Sequence, residues 1–136
     1  MNKKHRAYFF WTYILILVIL AIAPWSTSHR VGIEGFKFRL DYFFHLFAYL
    51  GLTILYILWQ FNSLFTKRFL VLVVHITLLI TFSFLTEAVQ LIISYRSFNI
   101  KDFIANTMGI FTGLGLFLIF NSHIIRLAGK YLNSEE

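Results

Sequence analysis

Four long apolar runs leave this chain essentially one class of fold. They are Ala7 to Ala23, Tyr42 to Phe61, Phe69 to Ile93 and Phe103 to Phe120, each near the roughly 20 residues a helix needs to cross the hydrocarbon of a bilayer. The third is long enough to tilt or to project beyond it. Apolar and polar residues do not alternate along these runs, and the runs are too long for barrel strands. The expectation is an all-α integral membrane four-helix bundle, a single transmembrane domain over residues 1–136. Composition closes the soluble alternative. Residues AVILMFWYC make up 59% of the chain and charged residues 13%, against about 45–50% and 25% in soluble domains. A compact fold of this size could not hide that much apolar surface.

The connections Asn62 to Arg68 and Ser94 to Asp102 are short, so neighbouring helices run antiparallel. The segment from Pro24 to Asp41 is longer, mixed in character, and suited to lie partly in the interface. The first run resembles a signal peptide, with Lys3, Lys4 and Arg6 before it and Ala21-Ile22-Ala23 at its end. It exceeds the usual apolar length of such peptides, and Pro24 would follow the cut, so it is read as a retained helix. Trp11, Trp25 and Trp59 fall near predicted helix ends, as an aromatic belt requires. With the N-terminus inside, the inner segments carry seven basic residues and the outer loops five (Arg30, Lys37, Arg39, Arg96 and Lys101). That bias favours cytoplasmic N- and C-termini in a multi-pass protein of the bacterial cytoplasmic membrane. The net charge of +6 then serves loops near anionic headgroups, since no basic soluble face for nucleic acid is evident. There is no cysteine, hence no disulfide, thiolate metal site or cysteine nucleophile.

An ionisable side chain inside a span costs about 2.5–3.5 kcal/mol on insertion scales and so requires a reason. Asp41, His45 and Tyr49 stand at i, i+4 and i+8 at the start of the second helix, along one stripe. Glu87 and Gln90 occupy the last two turns of the third, Arg96 lies in the loop that follows, and Asp102 and Asn106 open the fourth. The start of helix two, the end of helix three and the start of helix four must share one membrane face. These residues are therefore the candidates for a polar pocket open to one leaflet.

Each has a structural reading too. Asp41 at a helix N-terminus is favourable to the dipole. Asn99 and Asp102 resemble a capping box, with Asp in the place usual for Glu or Gln. Tyr49 reads as a packed aromatic, Gln90 and Asn106 as interhelical glue, and Arg96 as a side chain reaching for headgroups. His75 reads as a structural or cavity histidine. His45 and Glu87, away from helix ends, are hardest to explain structurally. Ala105, Gly109 and Gly113, with Gly115 beyond, form a small-residue stripe for close packing of helix four, and the same face would serve a homodimer.

Asp41-x-x-x-His45 with Tyr49, Glu87-x-x-Gln90, Arg96-Ser97-Phe98 and Asp102-x-x-x-Asn106 with Gly109 resemble the pattern of the VanZ-like family of small bacterial membrane proteins. The resemblance runs in order from Asp41 to about Gly113 and is densest in TEAVQLIISYRSFNIKDFIANTMGIFTG, residues 86–113. Tyr42 departs from it, standing where the family commonly has Lys; Lys37 and Arg39 are the nearby candidates to supply that charge. The family is named for a protein linked to resistance against the glycopeptide teicoplanin, and the resemblance implies an envelope-related role.

The leading functional expectation is a pocket at the outer leaflet that binds or modifies a lipid-linked or headgroup-bearing envelope molecule, with membrane lipids as partners and no cofactor. Arg96 and the free N–H groups at the start of helix four would hold an anion such as phosphate. His45 would exchange protons, and Glu87 would orient it or act as base. Whether this is an enzyme stays open. The main alternative is a polar network that only locks the bundle, with function in a protein partner. A metal site on His45, Glu87, Asp41 or Asp102 lacks tight ligand spacing, so no metal is assigned. A transporter lacks a midplane site. Ser94, Ser97 and Thr86 are nearby hydroxyls, none singled out as a nucleophile.

Overall fold

The computed structural model describes residues 3–23, 30–33, 36–64, 69–94 and 98–132, in backbone only for 30–33, 36–39, 61–64 and 121–132. Its elements are α1 (Lys3–Ile22), a hairpin of β1 (Arg30–Ile33) and β2 (Phe36–Arg39), α2 (Asp41–Leu64), α3 (Phe69–Val89), a 3-10 helix Gln90–Ile92, and α4 (Ile100–Leu132). All four α-helices are long and apolar enough to cross a membrane, with mean hydropathies of 1.7, 1.6, 2.4 and 1.9 in chain order. This is an all-α, multi-pass membrane bundle. Phe9, Leu15, Phe44, Phe47, Leu78 and Leu118 are each more than half exposed. In water such a surface would drive aggregation; in lipid it is the solvated surface, because every backbone polar group is satisfied inside its own helix.

Helix ends differ from the apolar runs in instructive ways. α1 begins at Lys3 and α4 runs to Leu132, since polar residues outside the hydrocarbon still form good helix. α3 stops at Val89 and tightens into the 3-10 turn, so Gln90 lies beyond the α-helix proper. The segment before α2 is more regular than its mixed composition suggested. Its hairpin pairs Arg30 with Arg39, Val31 with Phe38, Gly32 with Lys37 and Ile33 with Phe36. Only Leu40 separates β2 from α2, and its carbonyl accepts the Phe43 and Phe44 N–H groups that open the helix.

α4 packs most extensively on α2, and α1 packs mainly on α2. Helix association in lipid depends on close contact rather than on a hydrophobic drive, and the glycines supply that contact. A methyl group at Gly109 would sit 2.2 Å from the Leu46 carbonyl oxygen, and one at Gly113 would sit 2.9 Å from the Thr53 side chain. Ala105 is buried on the same stripe, while Gly115 has nothing within 4 Å. On the other side of α2, the Tyr13 hydroxyl fills the space left by Gly51 and donates to the Ala48 carbonyl at 3.0 Å.

At the end of the bundle holding the α1 N-terminus, Phe10 stacks on Trp59 with centroids 4.9 Å apart, flanked by Trp11 and Tyr56. There Arg6 donates to the Leu58 carbonyl at 2.9 Å. The shared core is Phe10, Leu17, Tyr49, Leu52, Tyr56, Ile57, Leu79, Ile110 and Leu114. Trp25 lies outside the described residues.

Candidate functional site

Three local devices bring the polar side chains to one end. Asn99 caps α4, its Oδ1 accepting the Lys101 N–H at 3.1 Å, which satisfies a donor that the first helical turn leaves open. Asp102 therefore falls in the first turn and Asn106 one turn deeper. Asp41 opens α2 and puts His45 and Tyr49 on successive turns. The end of α3 delivers Glu87. The close approach at Gly109, one turn beyond Asn106, carries α4 near enough to α2 for Asn106 and His45 to meet.

They meet in a chain of fixed direction. Asn106 Nδ2 donates to Glu87 Oε1 at 3.0 Å. Its Oδ1 is then the acceptor facing His45 Nδ1 at 2.9 Å, so the imidazole carries its proton on Nδ1 and donates it. His45 Nδ1 is also 3.6 Å from Glu87 Oε1. The other ring nitrogen, Nε2, is 3.8 Å from Asp102 Oδ2. One imidazole thus stands between two carboxylates, with a different nitrogen toward each. Burial is graded along this line: the side chains of Glu87, Asp102 and His45 are 1%, 11% and 27% exposed, and Asn106 is fully buried.

Tyr49 does not join this chain. Its hydroxyl pairs with the Thr86 hydroxyl, which donates to the Ser83 carbonyl at 2.8 Å, so Tyr49 is the donor of the pair. Thr53, one turn on, donates to the Tyr49 carbonyl at 2.8 Å. Ser83 and Thr53 are both fully buried. The polar interior therefore runs deeper than the expected pocket, down a stripe Ser83, Glu87, Gln90 on α3 and its 3-10 extension. Ser83 and Thr53 carry no sequence signal of this, because a hydroxyl buried by tertiary contact looks, in sequence, like any hydroxyl in an apolar run.

Asp41 and Gln90 are buried, the one opening α2 and the other just past the end of α3. Arg96 and Ser97 lie outside the described residues. His75 donates from Nδ1 to the Val71 carbonyl at 2.7 Å and packs by Tyr56, toward the opposite end. Among the described residues no three His, Cys, Asp or Glu side chains are placed to hold a metal ion. An open, mostly apolar face of α4 runs along Phe103, Ile104, Thr107, Met108, Phe111 and Thr112, starting one residue after Asp102.

The VanZ/LLP1 family model matches residues 10–121, which include every described residue of this network. The chain belongs to the VanZ/LLP1 family. The VanZ/LLP1 match starts within α1 and ends within α4, so it takes in all four spans. No curated protein and no solved structure matches the chain.

Proposed function

We propose that this VanZ/LLP1 protein lies in the bacterial cytoplasmic membrane with both termini in the cytoplasm, and that its polar end, at the outer leaflet, binds or modifies the headgroup of a lipid-linked envelope molecule. The observation that carries the reading is the graded chain from half-buried His45 to fully enclosed Asn106 and Glu87. Three helices each bring a costly polar side chain into what would otherwise be hydrocarbon, and the accessible end of the chain is a proton-exchanging imidazole. The open apolar face beginning at Phe103 suits a lipid ligand, since an acyl chain would run down α4 from a headgroup near Asp102. Arg96, next in sequence to this end, is the proposed partner for a phosphate. Glycopeptide resistance of the teicoplanin type is the phenotype through which such an activity would be seen.

The test purifies the protein from native membrane in lipid-preserving polymer and identifies retained lipids by mass spectrometry, for wild type, His45→Ala, Glu87→Gln and Arg96→Ala. A lipid enriched in wild type and lost from folded variants supports the reading; equal lipid profiles refute it. The two internal bonds of fully buried Asn106, to His45 and to Glu87, favour the second reading, a network that locks the bundle for a protein partner. Under it the same variants lose thermal stability together, with no change in the lipid retained by the folded fraction.

A further inference from the structure

We propose that His45 carries protons between the membrane face and the enclosed Glu87, and that Asn106 is a positioning residue whose amide turns over as the proton passes. This deepens the reading above and rests on it only in taking the polar end as the working site.

The geometry supplies both end states. In the first, Glu87 is ionised and His45 is protonated on both nitrogens. Nδ1–H donates to Asn106 Oδ1, Asn106 Nδ2 donates to Glu87 Oε1, and Nε2–H faces Asp102 Oδ2, with the separations found here of 2.9, 3.0 and 3.8 Å. In the second, the Nδ1 proton has moved to Glu87 Oε1, 3.6 Å away, a gap that a modest turn of the ring closes. His45 is then neutral with its proton on Nε2, still facing Asp102. Glu87 is now a hydroxyl donor and Nδ1 a bare acceptor. A half-turn of the Asn106 amide meets both needs: Oδ1 accepts from Glu87, and Nδ2 donates to Nδ1.

The two states hold the same number of protons, and His45 Nδ1, Asn106 Oδ1 and Nδ2, and Glu87 Oε1 each keep a hydrogen-bond partner in both. An amide is suited to this position because it offers a donor and an acceptor from one planar group; a carboxylate or an aliphatic side chain would leave one state unsatisfied. The cycle completes when Glu87 returns its proton to Nδ1 and the cationic ring, whose side chain is 27% exposed, swings that nitrogen toward the membrane face to give up the proton and take another.

Among the described residues, Glu87 from α3 and Asp102 and Asn106 from α4 stand against His45, and Asp41 and Tyr49 lie one turn to either side of it on its own helix. The Tyr49 hydroxyl is committed to Thr86. Tyr13, on α1, is committed to the Ala48 carbonyl. His45 thus stands against both a rim carboxylate and the enclosed one.

The experiment is infrared spectroscopy of the full chain in phosphatidylglycerol–phosphatidylethanolamine nanodiscs. The protonated-carboxyl stretch of Glu87 is assigned by its loss in Glu87→Gln, and its deuteration is timed after transfer to heavy water. The expected result is slowing of at least about a hundredfold in His45→Gln, the low end of what a positioned proton carrier contributes, and a frequency shift of the same band in Asn106→Leu. Unchanged timing in folded His45→Gln overturns the relay, as does the absence of any Glu87 band across the pH range in which the protein is folded. Imidazole nitrogen resonances in the wild-type protein need no variant: an Nε2–H form must accompany the Glu87 band, and an Nδ1–H form in its place overturns the proposal. Lipid retention on the same samples separates the two ideas. Unchanged exchange with lipid binding lost removes the relay alone, and slowed exchange with lipid binding unaffected removes the headgroup reading alone.

Discussion

Gly109→Ala probes the junction on which the polar network depends. The added methyl would lie 2.2 Å from the Leu46 carbonyl oxygen and 3.0 Å from the Leu50 nitrogen. Both are backbone atoms of α2, and neither can rotate away. Reaching even the shortest contact that methyl groups show would require α4 to move off α2 by about 0.8 Å, and overpacking of this kind costs about 1–3 kcal/mol. The Asn106–His45 bond, 2.9 Å long and one turn from the glycine, would stretch toward 3.7 Å, past the length at which a hydrogen bond survives. Melting in detergent, followed by tryptophan fluorescence, should place Gly109→Ala well below wild type. Gly113→Ala, whose methyl meets the Thr53 side chain at 2.9 Å, should fall between them. Gly115→Ala, with open space around it, should be neutral. If Gly109→Ala melts with Gly115→Ala, helix four does not depend on that contact and the reasoning fails.

Asn106→Leu removes both bonds of a fully buried residue and leaves Glu87 without that donor, so a loss of about 1–3 kcal/mol is expected in chemical denaturation. Tyr49→Phe deletes only the hydroxyl donated to Thr86 and should cost about 0.5–1.5 kcal/mol in the same assay; a larger effect would mean that the ring has repacked. Asn99→Ala removes the cap at Lys101 and should cost about 0.5–2 kcal/mol, with faster amide exchange confined to the first turn of α4. Exchange speeding up along the whole helix would show that the cap is not a local device.

The spans and their directions were readable because apolar length and short connections are one-dimensional properties, and the bilayer converts them directly into geometry. That the start of α2 meets the end of α3 and the start of α4 follows from this alternation. Who bonds to whom did not follow. α3 is apolar on every side except for His75, Glu87 and a few hydroxyls, too few and too scattered to fix in the sequence its rotation about its own axis. Whether Tyr49 faces Glu87 or Thr86 turns on that rotation. The depth of the α2–α4 contact was signalled by Ala105, Gly109 and Gly113, but the choice of α2 over α3 as the partner of α4 was not. The hairpin is not legible in the sequence because its strands are four residues each, too short for a period of two to stand out beside four helices.

The ribbon at residues 30–39 is joined to the helix bearing His45 through Leu40 alone, and that residue's carbonyl already belongs to the helix. There is no slack at this joint. The ribbon's last paired residue, Arg39, therefore stands only two positions before Asp41 and six before His45. Hairpin and histidine thus belong to one continuous stretch of ordered backbone, from Phe36 through Leu40 into the helix.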